Sequence, residues 1–174
     1  MLVEALARLD DDARGRLRVI VAGEPMLDLA PIRRRIAGAG LSGTIELDAR
    51  RLDDAETAAL LAAADAFVFP YREIEASGVF YLVQGLGRWL IASRLGAFAE
   101  AIEDGISGRL VAPEDPQALA DALREVACDR RRPTAPPRVT GWDAIAGATI
   151  EVYAAAASDR AAGRDPVGAP ALVR

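Results

Sequence analysis

Histidine is absent from the 174-residue sequence, and cysteine occurs once, as Cys128. One cysteine cannot close an internal disulfide. Without histidine the chain has no ready zinc site and no Ser-His or Cys-His pair for nucleophilic catalysis, so no metal is expected. Cys128 reads as a helix-end residue. Clustered basic charge is scarce as well. The net charge is -5, and the runs Arg33 to Arg35 and Arg130 to Arg132 are too short to neutralise a nucleic-acid backbone. They read as a solvated helix face and a loop. Long apolar runs are missing too: none reaches the roughly 18 residues that a bilayer requires. The opening stretch MLVEALARLDDDARG interleaves acids and arginines too closely for a signal-peptide core. A cytoplasmic protein without a transmembrane segment or a nucleic-acid partner is expected.

What is present is apolar and regularly divided: 52% hydrophobic and 27% charged residues suit a compact domain with a sizeable core. Leu2, Ala5, Leu6 and Leu9 fall at helical spacing, and a polar turn is expected from Asp10 to Gly15. Leu17 to Gly23, LRVIVAG, is a β-branched run ending in glycine, the pattern of a strand buried on both faces of a parallel sheet. A helix follows through Leu29, Ile32 and Ile36 and stops near Gly38 and Gly40. TIELDA is a second strand, and Asp53 and Asp54 can cap a helix that runs to Ala64. DAFVFP is a third strand and Gly78 to Leu86 a helix. WLIAS is a fourth strand, Ala97 to Glu103 a short helix, RLVAP a fifth strand, and EDPQALADALREVA a helix with Pro116 in its opening turn.

Strands alternating with helices in this way imply a Rossmann-like α/β fold, a parallel sheet of about five strands with right-handed crossovers and helices on both faces. The core is expected to include Val19, Val21, Ile45, Phe67, Phe69, Leu90, Ile91 and Leu110. RRRPTAPPR, Arg130 to Arg138, breaks the pattern. Beyond it a final amphipathic helix is expected over 141–157, with Trp142, Ile145, Thr149, Val152 and Tyr153 roughly on one side. The expected domain is therefore 1–157, and 158–174, rich in Gly, Ala, Pro and Arg, is an expected disordered tail.

In an open parallel sheet, ligands sit beyond the carboxyl ends of the strands, where loops meet helix N-termini. The stretch PYREIEASGVF, Pro70 to Phe80, lies at such an end. Ser77, Gly78 and Val79 would present unpaired backbone N–H groups at a helix start, a setting suited to an anion. Gly78 would let a phosphate approach the backbone closely. The plain alternative is that Ser77 is only a helix cap and Gly78 only a turn residue.

ADAFVFPYREIEASGVF, IASRLGAFAEAIEDGISGRLVAPEDPQALADAL and WDAIAGATIEVY, in this order and spacing, resemble the C-terminal, donor-binding half of the retaining group 1 glycosyltransferases of GT-B fold. The resemblance extends from about Leu2 to Tyr153. It implies that this half holds a nucleotide-diphosphate sugar as substrate, with no cofactor and no essential metal. The acceptor would be held by a separate N-terminal domain, and glycosyl transfer would retain the anomeric configuration. The diphosphate turn falls on Ser77, Gly78 and Val79. The base-lining segment falls on Ala49, Arg50, Arg51 and Leu52, and the loop after the first of the five strands on Gly23 and Glu24. For one of Arg50 and Arg51, simple solvent exposure is the alternative.

The sequence also departs from the family pattern. Many members carry two glutamates separated by seven residues, the second on the ribose. Here those positions are Ile74 and Leu82, neither acidic; Glu73 and Glu75 flank the first but are out of register, and a subset of the family with a Ser-Gly-Val start lacks the pair as this chain does. The family's first donor-half strand, whose loop brings an Arg and a Lys to the diphosphate, has no counterpart, and Arg72 is the one visible substitute. No acceptor domain is present and no catalytic residue is assigned. The expected function is thus the donor half of a glycosyltransferase, its acceptor partner packing on helix 141–157. The alternative is a non-catalytic nucleotide-binding remnant or interaction module. A generic NAD-binding protein is disfavoured because no G-x-G-x-x-G follows the first strand.

Overall fold

The computed structural model describes residues 1–73, 77–129, 133 and 141–161 and divides into two units, Met1–Pro137 and Arg138–Arg174. The first unit opens on α1 (Leu2–Ala7) and α2 (Asp11–Gly15). It continues through β1 (Val19–Ala22), α3 (Ala30–Gly38), β2 (Ile45–Asp48), α4 (Asp54–Ala63), β3 (Ala66–Phe69) and α5 (Gly78–Gln84). It closes with β4 (Trp89–Ser93), α6 (Gly96–Ala101), β5 (Gly108–Val111) and α7 (Pro116–Asp129). The order is the expected one except at α2, where a polar turn was expected. There the Ala13 N–H donates to Asp10 Oδ1 at 2.8 Å, and Asp11 and Asp12 place negative charge on the opening turn. Both effects favour a helical turn over an open loop. α4 starts on a reciprocal cap: Asp53 accepts from the Glu56 N–H, and the Glu56 side chain accepts from the Asp53 N–H.

All strand pairings are parallel, but the five strands form two hydrogen-bonded groups rather than one sheet. β1 pairs with β2, and β3, β4 and β5 pair in that order. Side chains alternate across the strands and sort into two cores. On one face Ala66, Val68, Trp89, Ile91 and Val111 join Val19, Ile45 and Leu47 beneath α1, α2 and α7. α1 packs directly against α7. On the other face Phe67, Phe69, Leu90, Ala92 and Leu110 pack against Phe80 and Val83 of α5 and Phe98 of α6. Burial of a side chain such as Leu119 or Phe98 contributes about 1.5–3 kcal/mol.

β4 is buried at all five positions, the burial expected of a central strand. β1 is not. Val19 is half-buried and Val21 is 43% exposed, which corrects the expectation of a strand buried on both faces. A β-branched run reports strand propensity, whereas burial depends on whether a neighbour lies on each side, and β1 has one on a single side. Of the expected core, Ile45, Phe69, Leu90, Ile91 and Leu110 are buried and Phe67 packs against them. Gly108 marks a tight point the sequence did not announce: a Cβ there would lie 2.2 Å from the Leu90 carbonyl oxygen, so β4 and β5 approach too closely for any side chain.

The second unit contains α8 (Trp142–Ala161). The helix continues past the boundary expected at Ser158, because alanine and arginine sustain helical backbone. Residues 162–174 of the expected tail, and 130–132 and 134–140 of the expected break, lie outside the described residues. Large apolar side chains of α8 are open to solvent, Trp142 at 83% and Tyr153 at 72%, but with Ile150 and the alanines spread around the helix it has no net apolar side, which corrects the expectation of an amphipathic helix. Among the described residues no helix is long and apolar enough to cross a membrane.

Candidate functional site

The carboxyl ends of β1, β2 and β3 carry the residues singled out from the sequence. At β3 the chain leaves Phe69, passes Tyr71 and reaches Ser77, whose extended backbone caps α5. The Phe80 N–H donates to Ser77 Oγ at 3.3 Å, and Ser77 is buried. The cap role of Ser77 is therefore real. Gly78 is different. Its φ is not in the left-handed region, and a Cβ built on it would meet nothing within 4 Å. Neither its backbone conformation nor packing by a described residue requires a glycine there. Val79 is exposed beside it. Glu75 lies outside the described residues.

At the end of β1, Gly23 has φ 141°, a conformation that strongly favours glycine, and its N–H donates to the Asp48 carbonyl at 3.1 Å. Glu24 follows, exposed. At the end of β2, Arg50 is held by two carboxylates: its Nε lies 3.0 Å from Asp48 and its Nη1 2.8 Å from Glu56. The Glu56 hydrogen bond, then the Asp48 charge, push its pKa above the ordinary arginine value. Arg51 is exposed and makes no ion pair with a described residue, and Leu52 is half-buried. Of the two arginines, Arg51 is thus the unengaged one, whereas Arg50 serves first to tie the loop to α4.

Arg72 and Glu73 are both exposed. Arg72 Nε lies 3.1 Å from Glu114 Oε1. Glu114 sits in the loop after β5 and is the one non-glycine residue of positive φ among those described, at 58°. Sequence reasoning missed it, since only the tertiary fold brings these two loops together. A compositional signal was available: the chain contains no lysine, so a cation facing a diphosphate from a side chain must be arginine. Leu82, at the position of the second family glutamate, is 57% exposed and offers no carboxylate. At the end of β4 the Ser93 hydroxyl is buried without a hydrogen-bond partner. A depression of about 200 Å³ lined by Arg33, Ile36, Ser42, Ile45 and Leu47 opens at the amino end of β2, the opposite end from these loops.

The family described as glycosyl transferases group 1 matches residues 1–129. Over 177 aligned residues the chain is 32% identical to the D-inositol 3-phosphate glycosyltransferase of Geodermatophilus obscurus, covering 93% of this chain and 38% of that protein. Over 114 residues it is 39% identical to glycogen synthase of Mycobacterium tuberculosis, covering 60% of this chain and 27% of the relative. Among solved structures, sucrose-phosphate synthase from Thermosynechococcus elongatus superposes with a TM-score of 0.64 at 21% identity, covering 90% of this chain and 42% of that one. Anabaena Alr3699/HepE in complex with UDP gives 0.63 at 21% identity, covering 75% of this chain and 35% of that one. The chain therefore spans well under half the length of each of these proteins.

Proposed function

The chain belongs to the group 1 glycosyl transferases, and on that footing we propose that it binds the nucleotide-diphosphate sugar of a retaining glycosyltransferase whose acceptor is held elsewhere. Gly78 carries this reading. It opens α5 at the carboxyl end of a parallel strand, and among the described residues none comes within 4 Å of the place its side chain would take. A diphosphate placed there would meet the backbone N–H groups of Gly78 and Val79 with the positive end of the helix behind them. Arg51 and Leu52 would line the base, the Gly23-Glu24 turn would face the nucleotide, and Arg72 would trade Glu114 for a phosphate oxygen. No metal or cofactor is assigned, the sugar nucleotide being the substrate.

Leu82 stands where the resemblance places the ribose carboxylate, which supports reading the chain with the Ser-Gly-Val subset, whose ribose hydroxyls have no acidic partner at that position. A uridine nucleotide is the first candidate, since the Anabaena relative in fold is known with UDP and with UDP-glucose. The acceptor-bearing part would pack on α8, where Trp142, Ile145, Ile150, Val152 and Tyr153 are exposed.

Calorimetric titration of the folded chain with UDP-, GDP- and dTDP-sugars tests this. Saturable binding of one of them, weakened in Gly78→Val, is expected. No heat from any of them at millimolar concentration would overturn it.

A further inference from the structure

Ala112 to Asp115 form a tight turn between β5 and α7. The Asp115 N–H donates to the Ala112 carbonyl at 3.4 Å, Pro113 takes the second position, and Glu114 takes the third with φ 58°. Proline followed by positive φ is the type II pattern, whose third position favours glycine because a Cβ is strained there. The turn is held from its far end as well. The Asp115 carboxylate accepts from the Gln117 and Ala118 N–H groups, each at 2.9 Å, and so caps α7. A glutamate in this setting stands against local preference, and the reason lies in its side chain.

That side chain reaches the loop after β3. β4 lies between β3 and β5, so the loops that follow those two strands start about 10 Å apart. The 3.1 Å contact of Glu114 Oε1 with Arg72 Nε spans that width. Both partners are exposed, so water screens the pair and a stronger anion can take the place of the carboxylate. A terminal phosphate is such an anion. It carries more charge and accepts two parallel hydrogen bonds from a guanidinium.

We propose that Glu114 is a specificity-determining residue of the donor site, a resident carboxylate that competes with the terminal phosphate of a nucleoside diphosphate for Arg72. The inference rests on the donor reading above. At neutral pH a nucleoside diphosphate carries up to one more negative charge than its sugar ester, because its terminal phosphate is free. Arg72 without a competitor therefore holds the diphosphate the tighter of the two. Glu114 reclaims the guanidinium and lowers the affinity most for the ligand with the most charge at that point.

The test is calorimetric titration of the full chain with UDP, GDP and dTDP, continued with whichever binds, its glucose ester and its free nucleoside. Glu114→Gln keeps the size of the side chain and removes its charge. It should bind the diphosphate about fivefold tighter, the worth of one exposed ion pair, the ester with a smaller gain, and the nucleoside unchanged. Glu114→Gly should show the same order of gains, and unfolding scans establish that each variant is folded. In an Arg72→Ala chain the further change Glu114→Gln should gain nothing, whereas general repulsion by a nearby carboxylate would still be relieved there. Four results overturn the proposal and leave the donor reading intact: unchanged diphosphate affinity in Glu114→Gln, weaker binding, a gain for the ester as large as for the diphosphate, or an equal gain in the Arg72→Ala background. If none of the three diphosphates binds the parent chain or Glu114→Gln, the donor reading fails and the proposal falls with it.

Discussion

Arg72 and Glu114 join the loops after β3 and β5 through a 3.1 Å ion pair, and Glu114 makes that contact from a left-handed backbone. An exposed pair of this kind is worth about 0–1 kcal/mol, while a non-glycine residue in that conformation costs about 1–2 kcal/mol. Stability alone does not account for the arrangement. It does place a guanidinium beside the β3 loop.

Arg72→Ala is expected to leave the thermal midpoint unchanged and to weaken nucleoside-diphosphate binding by about tenfold or more, the worth of a charge-assisted hydrogen bond. Glu114→Gly should relieve the backbone and raise the midpoint slightly. Unfolding scans and titrations on the same preparations check both, and an Arg72→Ala chain of full affinity would remove Arg72 from the site.

Three glycines should respond differently to alanine. Gly108→Ala sets a Cβ against the Leu90 carbonyl and should cost about 3 kcal/mol or more. Gly23→Ala should cost about 1–3 kcal/mol through its φ of 141° alone, because the space around it is open. Gly78→Ala should be neutral to folding, within about 0.5 kcal/mol, and should lower donor affinity. Urea midpoints rank the first two, and titration reads the third.

Much of this was legible in advance. WLIAS reads as a strand with Leu90 and Ile91 in the core, because apolar residues run together there over the length of a strand. Ser77 reads as a cap because a small hydroxyl stands before an apolar helical run. The exposure of Val21 was hidden, since composition says that a segment suits a strand and says nothing about whether both neighbours exist. The Arg72–Glu114 pair was hidden because its partners meet only after three strands have been laid side by side. Arg50 was readable further than it was read: Asp48 and Glu56 stand close on either side, and both hold it.

Acidification should act at the start of α2. The Ala13 N–H, and behind it the Arg124 charge, hold the Asp10 carboxyl below its ordinary range. The folded state therefore favours ionised Asp10. Its contribution is present above the ordinary carboxylate value and is lost as the pH falls through the lowered one, that is from about pH 4 downward. Asp10→Asn keeps a capping oxygen and cannot titrate, so its urea midpoint should fall less than that of the parent between about pH 6 and pH 3. Equal falls would show that Asp10 does not contribute to the acid response.

Transfer should be undetectable with this chain alone. The acceptor surface, the basic pair of the family's first-strand loop and the ribose carboxylate are not supplied by its residues. Removing one transition-state donor costs about 3–4 kcal/mol, so lacking two slows transfer by roughly four orders of magnitude or more. Incubated with sugar nucleotides and an acceptor panel, the chain should release nucleotide no faster than buffer. Acceptor-dependent release by the chain alone would overturn this expectation.

The packing of α1 on α7 brings the first helix of the Met1–Pro137 unit against its last. Topologically the unit is a ring with a nick at that seam. Closing the seam in the unfolded chain gathers nearly the whole unit into one loop, at an entropic cost of about 4 kcal/mol by logarithmic scaling with loop length. The contacts among β3, α5, β4, α6 and β5 are short-range by comparison and can form before it. Joining the end of α7 to the start of α1, with new termini in the turn at Gly40 to Gly43, would turn the longest-range contact of the unit into a local one and leave every strand-end loop intact.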